Sequence, residues 1–385
     1  MRILVLAHAL RVGGGRVTCM NILDSLKRID EANEYCLVVP DQPEYRALKL
    51  GGERYAVHYY RRRCGHLGRW FFDRFTLRRM CSHFQPDVIW GMGNLGLISP
   101  PCPQAVSIQN PYLFYNTKNT GRLSFTDQLW LFFLKRHFKR QLPATDLVFC
   151  QTATMQERLR TIFGYKGRAA VTSKVVSAFS ASMAADGKPP APISPFAGKY
   201  KLFYLARYYP HKGLEVLVEV MDQYREELAD TIAVITIAPE QHKNAARLLD
   251  RIKRCGLQDR IINVGPLKQE QLADYYVSCD CLVMPTRLES FSGTYLESMH
   301  FGLPILTSDL DFAREVCSDA ALYFDPWNAE SIKDAILRLK NDPDLRKTLV
   351  ERGRVRLSQS FGRTWQDVAK EMKKGLESLV APRAK

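Results

Sequence analysis

Two glutamates with seven residues between them mark the part of this sequence whose residue types could do chemistry. Glu289 and Glu297 flank a small-residue loop, residues 291–293, that follows an apolar strand pattern and leads into a short helix. Ser292 and Thr294 offer hydroxyls for capping this helix. Because a helix N-terminus presents free backbone N–H groups and the positive end of the helix dipole, the stretch predicts a phosphate or anion site.

The two carboxylates are not expected to act as one catalytic acid–base pair. Such a pair at a glycosidic bond needs carboxyl groups roughly 5 to 9.5 Å apart, whereas eight helical steps span about 12 Å. Glu289 lies in the loop, so the actual distance stays open. Separate hydrogen-bonding roles on one polyhydroxylated ligand are the favoured interpretation, and a surface glutamate beside a helix-facing one is the alternative.

A pair of cations lies roughly 80 residues earlier in the chain. Arg207 and Lys212 bracket the turn between an apolar strand pattern at 202–206 and a helix pattern at 214–221. Fixed cations beside a helix N-terminus suit a diphosphate, and each charge-assisted hydrogen bond contributes roughly 1.5–3 kcal/mol. Ordinary surface cations are the alternative for this loop alone.

Together these segments resemble retaining glycosyltransferase family 4, which has the GT-B fold. The turn at Arg207 is similar to the family's G-R-x4-K-G segment, with Ala206 for the first glycine. The later stretch is similar to the family's E-x7-E segment, with Ser292-Gly293 where Gly-Leu or Gly-Ile is usual. The residues that match there are Glu289, Phe291, Glu297, Met299, Gly302 and Pro304. The resemblance is strong over most of residues 200–330 and covers the first half only in outline.

The resemblance implies a role for each matched residue. Glu289 would touch the donor sugar and Glu297 the nucleotide ribose, while Arg207 and Lys212 would oppose the charge that develops on the diphosphate. The implied catalytic residues are therefore Glu289, Arg207 and Lys212. Further donor contacts are implied for Phe291, Ser292, Gly293, Thr294 and, in a turn that contacts the base, Leu267.

Neither a metal nor a cofactor is expected. Asp309-Leu310-Asp311 has the D-x-D form that can ligate a metal, but one short motif after a strand is weak. GT-B enzymes generally neutralise the leaving group with helix ends and cations.

The start of the chain predicts a strand, a glycine loop and a helix. Residues 2–7 are an apolar run, glycines follow, and apolar residues at 19, 22, 23 and 26 have helical spacing. Thr18 stands where a dinucleotide fingerprint needs glycine, which argues against a nicotinamide enzyme. By the resemblance, Gly14 and Gly15 would contact the donor and Arg16 the acceptor, with a plain tight turn as the alternative.

Further short apolar strands, expected at 35–39, 87–90, 105–109 and 147–151, complete a doubly wound α/β domain. Gln109 and Asn110 follow one of these strands, at the carboxyl edge of a sheet where ligands of α/β proteins bind. Many members of the family have a histidine near this point. Glutamine and asparagine orient hydroxyls but do not act as a base at neutral pH, so both are assigned to the acceptor side.

The positive charge is concentrated in the first half of the chain. Residues 1–180 carry 26 Lys and Arg against 12 Asp and Glu, whereas the remainder carries 29 against 28. The stretches 61–80 and 122–140 interleave Trp, Phe and Leu with Arg and Lys. Both fit a basic aromatic helix in the headgroup plane of an anionic membrane, and a core-packing helix with a solvated basic face is the alternative. No nucleic-acid-binding module accompanies them, so nucleic acid is not an expected partner.

The amino-acid composition narrows the class of protein further. The 385 residues, of which 46% are hydrophobic, suffice for two domains. No apolar run approaches the roughly 20 residues needed to span a bilayer, and residues 1–10 read better as a first strand than as a secretory signal. The ten cysteines lack C-x-x-C pairs and are expected to be reduced thiols that fill the core. The chain is therefore expected in the cytoplasm, at the inner face of the membrane.

These observations predict an α/β protein with two Rossmann-like domains facing a central cleft. Residues 1–185 would bind the acceptor, 186–200 would be a linker, 201–360 would bind the nucleotide sugar, and a helix in 361–385 would cross back to the first domain. The predicted activity is retaining transfer of a hexose-type sugar from a nucleotide diphosphate to a hydroxyl of a membrane-linked glycan or lipid, as in lipopolysaccharide or surface polysaccharide synthesis. The alternatives are other GT-B chemistry, such as phosphorolysis or epimerisation, and a non-catalytic sugar-nucleotide binder.

Overall fold

The computed structural model describes residues 1–61, 72–115, 123, 125–176 and 198–380. Its contacts divide the chain into two compact units. The first unit comprises Met1–Phe114, Phe125–Lys174 and Arg363–Lys385, and the second comprises Tyr115–Ser124 and Val175–Gly362.

The first unit is built on a seven-stranded sheet in which all neighbouring strands are parallel. The strands are β1 (Arg2–Leu6), β2 (Glu34–Pro40), β3 (Tyr55–Tyr60), β4 (Val88–Gly91), β5 (Gln104–Ser107), β6 (Leu147–Cys150) and β7 (Arg168–Val171), in the order β3-β2-β1-β4-β5-β6-β7. Its helices are α1 (Gly13–Ile29), α2 (Pro43–Ala47), α3 (Leu77–Phe84), α4 (Phe125–Gln141) and α5 (Ala153–Phe163). The order reverses between β1 and β4, as in a doubly wound sheet.

Burial explains why the central strand is an unbroken apolar run. Ile3, Leu4 and Val5 are all fully buried, as expected of a parallel sheet covered by helices on both faces. The predicted face of α1 is buried as well, since Cys19 and Leu23 are at most 1% exposed. The strand and the helix predicted for the start of the chain are therefore confirmed, but Gly13 to Gly15, which were expected in a loop, form the first turn of α1.

The second unit is built on a six-stranded parallel sheet. The strands are β8 (Tyr200–Tyr204), β9 (Thr231–Ile235), β10 (Ile261–Asn263), β11 (Cys281–Met284), β12 (Ile305–Ser308) and β13 (Ala321–Phe324), in the order β10-β9-β8-β11-β12-β13. Its helices are α6 (Leu214–Gln223), α7 (Lys243–Arg254), α8 (Gln269–Ser278), α9 (Gly293–Phe301), α10 (Asp311–Cys317), α11 (Ala329–Asn341) and α12 (Pro343–Phe361).

The last helix, α13 (Trp365–Val380), belongs to the first unit and packs against α1. Its buried face includes Trp365, Val368 and Met372. Lys373 Nζ lies 3.3 Å from the carboxylate of Asp30, which is fully buried at the end of α1. This ion pair adds to the apolar packing that fixes the helix on the first unit.

The predicted fold class is confirmed, because both units are α/β with parallel sheets. Sequence reasoning missed β3, β7 and β13. The facing cleft and the domain bounds stay predictions, and the proline-rich part of the linker lies outside the described residues. The basic stretches also fall partly outside them, at 62–71 and at 122 and 124.

Within the described ranges, nine cysteines are free thiols and six of these are buried, as the sequence predicts. The same ranges contain no group of three or more histidine, cysteine or acidic side chains that could hold a metal. Among the helices that the structure describes, none is both long and apolar enough to cross a bilayer.

Candidate active site

The candidate site lies at the carboxyl edge of the second sheet, after its two central strands. β8 and β11 are neighbouring parallel strands, with Leu202 opposite Cys281, so the loops that follow them leave the sheet at the same edge. The loop after β8 carries Arg207 and Lys212, and the loop after β11 carries Glu289. The topology thus brings together residues that are 77 positions apart in the chain.

A close backbone contact joins these two loops. Gly213 has a φ of +69°, and a Cβ at this position would lie 2.0 Å from the carbonyl oxygen of Pro285, so only glycine fits. The carbonyl oxygen of His211 accepts hydrogen bonds from the Arg287 N–H at 2.8 Å and from the Thr286 hydroxyl at 3.3 Å. These contacts fix the backbone on both sides of Lys212.

Lys212 and Glu289 form a hydrogen-bonded ion pair. Their side chains are only 16% and 10% exposed, so their attraction is stronger than that of a surface pair, and removal of one partner leaves a charge without hydration. An ammonium group has three N–H donors. Lys212 can therefore hold Glu289 and still donate to a second anion.

Arg207 differs from the other two residues predicted to be catalytic. Its side chain is exposed, and it makes no hydrogen bond or ion pair with any residue that the structure describes. It lies in the same loop as Lys212 without contacting the Lys212–Glu289 pair. Arg207 is thus a cation available to a ligand at this edge.

The N-terminus of α9 is the third component of the site. Ser292 is its N-cap residue, but the Ser292 side chain makes no capping hydrogen bond, contrary to the predicted use of its hydroxyl. Phe291 is buried and packs edge-on against Phe361, with ring centroids 5.7 Å apart. The helix therefore begins at Gly293 from a fixed position, and its first N–H groups, including that of Thr294, are suited to an anion.

Glu297 has a partner of its own on the neighbouring helix. Its Oε2 accepts a hydrogen bond of 2.8 Å from the hydroxyl of Tyr276 on α8. Burial and the nearby carboxylate raise the pKa of Tyr276 well above its ordinary value, so the hydroxyl stays a donor. Glu289 is thus paired with Lys212 and Glu297 with Tyr276, so the two carboxylates have different hydrogen-bond partners.

The turn at Leu267 follows β10 at the same edge. Asn263 Oδ1 accepts hydrogen bonds of 3.2 Å from the N–H groups of Ile237 and Gly265. Leu267 packs, half-buried, against the apolar cluster that contains Phe291. The turn is therefore anchored to the chain that follows β9.

The two carboxylates of the D-x-D segment have protein partners. Asp309 accepts hydrogen bonds from Arg314 at 2.6 and 2.9 Å, and Asp311 accepts one of 2.9 Å from the hydroxyl of Tyr115. This pairing gives the segment a structural role at the start of α10.

His211, next to Lys212, is buried and stacks on Tyr209 with ring centroids 5.4 Å apart. Burial and the Lys212 ammonium lower the pKa of His211 to about 3. The imidazole is therefore neutral near pH 7, and a pKa so far below that pH does not suit acid–base catalysis.

The residues predicted in the first unit lie around the N-terminus of α1. A Cβ on Gly15 would lie 3.0 Å from Gln109 Oε1, and one on Gly14 would lie 3.3 Å from Lys174 Nζ. Gly15 in the first turn of α1 and Gln109 are thus adjacent. Arg16 instead forms an ion pair with Glu44, so its charge is already partly compensated.

Asn94 positions the chain at Gln109 and Asn110. It has a φ of +71°, a conformation that asparagine tolerates better than most residues. Its Oδ1 accepts hydrogen bonds from the backbone N–H groups of Gln109 at 2.6 Å and Asn110 at 2.7 Å. The Asn110 side chain accepts a hydrogen bond of 3.0 Å from the Tyr112 N–H and so caps the next turn.

The predicted site residues therefore fall into two groups on two units. In the second unit, hydrogen bonds join Lys212 to Glu289, and the remaining residues lie in loops at the same sheet edge or in the first two turns of α9. Two residues that position the site were missed from the sequence, namely Tyr276 and Asn94. Only Asn94 had a local signal, because Gly93-Asn94 is a turn-forming dipeptide.

Known structures define the class of fold. The chain superposes on sucrose-phosphate synthase from Thermosynechococcus elongatus with a TM-score of 0.75 and 16% identity, over 99% of each chain. It superposes on Anabaena HepE, solved in complex with UDP and glucose, with a TM-score of 0.69 and 16% identity, over 98% of this chain and 100% of HepE. The two Rossmann-like units are the GT-B fold.

Sequence comparison points to a family within that class. Residues 191–356 match the sequence model of the family described as Glycosyl transferases group 1. This match contains the loops after β8 and β11 and covers less than half of the chain. It supports a group 1 glycosyltransferase.

Individual relatives are distant. The D-inositol 3-phosphate glycosyltransferase of Xylanimonas cellulosilytica is 26% identical over 185 residues, which are 47% of this chain and 41% of the relative. The O-antigen chain mannosyltransferase B of Escherichia coli is 22% identical over 241 residues, 61% of each chain. The matches thus span about two fifths to three fifths of the length of these curated relatives.

Proposed function

We propose that the protein is a retaining glycosyltransferase. It transfers a hexose-type sugar from a nucleotide diphosphate to a hydroxyl of a membrane-linked glycan or lipid, without a metal. The observation that carries the proposal is the buried Lys212–Glu289 pair beside the N-terminus of α9, within the segment that matches the group 1 family.

The chemistry follows from the charges at this sheet edge. As the glycosidic bond to the diphosphate breaks, negative charge grows on the leaving phosphate. Lys212 and Arg207 donate hydrogen bonds to it, and the N–H groups at the start of α9 add the positive end of a helix. Two cations and a helix end thus neutralise the charge that a metal ion neutralises in other enzymes.

The two glutamates orient the donor. Glu289, held by Lys212, accepts hydrogen bonds from sugar hydroxyls, and Glu297, held by Tyr276, accepts them from the ribose. Because Glu289 is committed to a cation, it is a poor nucleophile, which supports a same-face displacement. In that reaction the acceptor oxygen bonds to the anomeric carbon on the side the phosphate leaves, and the departing phosphate takes the acceptor proton.

The proposed class of acceptor is argued from helix α4 of the first unit. α4 packs on the core through Leu131, Leu134 and Phe138, yet Phe132 and Phe133 on its other face are 59% and 57% exposed. Exposed lysine and arginine residues follow them in the last turns of the helix. Aromatic rings beside basic groups fit the headgroup region of an anionic membrane, and the likeness to an O-antigen mannosyltransferase supports a membrane-linked glycan.

A flotation assay tests the membrane contact. The wild-type protein is expected to bind vesicles rich in phosphatidylglycerol at low salt, and Phe132→Ser with Phe133→Ser is expected to reduce binding at least tenfold. Ile162→Ser removes a comparably exposed apolar side chain on α5 and leaves binding unchanged. Equal binding by all three proteins, or no binding to anionic vesicles, contradicts this part of the proposal.

Product analysis tests the reaction itself. Radiolabelled nucleotide sugars incubated with a lipid extract should give a labelled, organic-soluble product and free nucleoside diphosphate, with the anomeric configuration of the donor. Glu289→Ala and Lys212→Ala should each abolish transfer. Sugar 1-phosphate as the product would indicate phosphorolysis, and near-normal transfer by both variants would refute the assignment.

A further inference from the structure

A groove in the second unit runs along β13, the strand at one end of the six-stranded sheet. It has a volume of about 510 Å³ and is open to solvent. Helix α10 and the turn after it, β13, the end of α11 and the first half of α12 line it. None of the residues assigned to the donor site is among the described residues that line this groove. The groove is therefore a separate feature of the second unit.

The backbone of β13 has polar groups that its own sheet does not use. The Phe324 carbonyl accepts a hydrogen bond of 2.8 Å from the Asp309 N–H beyond β12, so the backbone groups of Phe324 point toward β12. Successive residues of a strand direct these groups to opposite sides, so those of Ala321 and Tyr323 point to the free edge. Among the described residues, none forms a hydrogen bond with the N–H or C=O of Tyr323. Such an edge is a template for pairing with another extended chain.

The side of the groove next to α12 is apolar. Leu322 and Leu345, both partly buried, pack against the buried cluster that contains Leu349, and all three leucines line the groove. Alternate side chains of an extended peptide point to one face. Every second side chain of a peptide paired with β13 therefore faces these leucines.

Three arginines from three helices border the groove, namely Arg314 of α10, Arg338 of α11 and Arg352 of α12. Asp319 is the only acidic residue among the described lining residues, so the lining is positively charged. Arg338 is exposed and makes no hydrogen bond or ion pair with the residues that the structure describes. Its guanidinium group is therefore available to an anionic group of a ligand.

The other two arginines are restrained by contacts within the second unit. The Arg314 Cζ lies 3.7 Å from the centre of the Tyr323 ring, and the guanidinium donates two hydrogen bonds to Asp309. The Arg352 Nε lies 3.5 Å from the Asp319 carboxylate. Since an arginine side chain has five N–H donors, each of the two keeps donors that these contacts do not use. Restraint before a ligand binds lowers the entropic cost of binding.

The charge of the groove determines which chain can pair with this edge. Charged side chains on an edge strand keep like-charged chains away, and this protein has a net charge of +15. Pairing of two β13 edges about a two-fold axis would place the arginines of one copy near those of the other. A small anion would bind the arginines but would leave the strand edge and the leucines unused. An acidic extended chain uses all three features.

We propose that the groove binds an extended acidic segment of a partner protein, which adds a strand to the second sheet beside β13. Its backbone pairs with Tyr323, its acidic side chains bind Arg338 and Arg314, and its apolar side chains lie on the leucines. Strand addition takes its affinity from main-chain hydrogen bonds and its specificity from alternate side chains. Because the described lining includes no donor-site residue, this docking is independent of the proposed sugar transfer.

Three peptides test this docking by fluorescence anisotropy with the full chain. The probe is a labelled peptide of three Asp-Val repeats with blocked ends. One control peptide has lysine in place of each aspartate, and the other has the probe sequence with every backbone nitrogen methylated. The probe should bind at one site, and both controls should bind at least tenfold more weakly. Binding of the methylated peptide as tight as that of the probe would overturn strand pairing, and with it the proposal.

Matched variants locate the peptide on the groove. Arg338→Glu should weaken binding of the Asp-Val probe at least tenfold. Arg247→Glu, at an exposed arginine on α7 outside the lining, changes the net charge equally and should change binding less than twofold. Equal weakening by the two substitutions would mean that the overall positive charge of the chain holds the probe, and would overturn the proposal.

A second pair of variants tests the strand edge. Ala321→Pro removes an N–H on the free side of β13, at the first residue of the strand, where proline is tolerated. It should weaken probe binding at least fivefold, whereas Ala321→Gly keeps the N–H and should not. Circular dichroism of both variants should match that of the wild type, which separates a lost contact from a lost fold. Unchanged probe binding by a folded Ala321→Pro variant would show that β13 does not pair with the peptide.

Two further measurements identify other occupants of the groove. At constant ionic strength, the inhibition constant of inorganic tripolyphosphate against the probe should exceed the Kd of the probe at least tenfold. A lower value would make the groove a site for small anions. The probe should leave the oligomeric state in sedimentation unchanged, whereas a dimer that the probe dissociates would mean that β13 pairs with a second copy of the chain. Either of these results would overturn the proposal.

Discussion

The carboxyl edges of the two sheets are held together in different ways. In the second unit a buried ion pair, Lys212–Glu289, joins the loops after two neighbouring strands. In the first unit neutral side-chain amides hold the loops instead. The side-chain oxygens of Asn94, Gln104 and Gln141 accept hydrogen bonds from backbone N–H groups of the chain after β4 and β5. An amide network is satisfied within the protein, whereas a buried ion pair holds charges that have lost their hydration.

That difference indicates which edge is suited to which task. A neutral network fixes the backbone and responds little to a charged ligand. A lysine with unused donors next to a carboxylate responds strongly to a diphosphate and to sugar hydroxyls. We therefore assign donor chemistry to the edge of the second sheet and recognition of the acceptor to the first unit.

The largest expected effect comes from breaking the ion pair. Lys212→Met or Glu289→Leu leaves one buried charge without a partner and should lower the free energy of unfolding by about 3–5 kcal/mol. The double variant removes both charges and should recover most of that loss, while transfer is lost in all three. Urea unfolding at pH 7 of the wild type, the two single variants and the double variant measures the four stabilities of this double-mutant cycle.

The exposed pair Arg314–Asp309, between α10 and the loop after β12, is the control for that cycle. Both side chains are about half exposed, so Arg314→Met and Asp309→Leu should each change stability by less than about 1 kcal/mol. If the double variant at the buried pair were as unstable as the sum of its single variants, the buried-charge account would be wrong.

A smaller effect is expected at the amide network. Asn94→Gly keeps the backbone conformation but removes the acceptor for two N–H groups, and should cost about 1–3 kcal/mol of stability. Asn94→Asp keeps an acceptor oxygen and should retain most of the stability. Nucleotide affinity should be unchanged in both variants. Equal losses in the two variants would show that the side-chain oxygen does not matter.

These two edges also show what the sequence could reveal. The spacing of Glu289 and Glu297 and the R-x4-K-G segment were readable, because phosphate and sugar binding demand particular residue types. The role of Asn94 was not, since its partners, Gln109 and Asn110, meet it only after β4 and β5 pair. Tyr276 likewise looks like a core tyrosine until α9 places Glu297 beside it.

Among the strands, prediction failed at the sheet edges. Only the two end residues of β3 are buried, and no residue of β7 is fully buried. Neither strand therefore has the continuous apolar run that marked β1 and β11. β13 is also half-exposed in its middle. An edge strand needs fewer apolar residues because it is covered less, which weakens the signal in the sequence.

The smallest expected effect is a pH dependence at the second edge. The pKa of His211 is lowered to about 3 by burial and by Lys212, whereas an unfolded histidine titrates near 6.5. The unfolded chain therefore takes up the proton first, and stability should fall as pH falls through 6.5. Between pH 6.5 and 5.5 the loss should be about 1 kcal/mol.

Denaturant unfolding at pH 6.5 and pH 5.5 checks this predicted loss of stability. His211→Asn should lack the loss, and His83→Asn, at an exposed histidine on α3, should keep it. A wild-type stability that does not change over this interval would mean that the buried imidazole does not stay neutral.

The central claim is that Lys212 and Glu289 form the diphosphate-sugar site. Calorimetric titration with UDP, GDP, ADP and their sugars, on the wild type and on Lys212→Met with Glu289→Leu, tests it most directly. We expect one nucleotide sugar to bind the wild type at a single site and to bind the stable double variant at least a hundredfold more weakly. Equal affinity for both proteins, or no nucleotide binding by the wild type, would contradict the account.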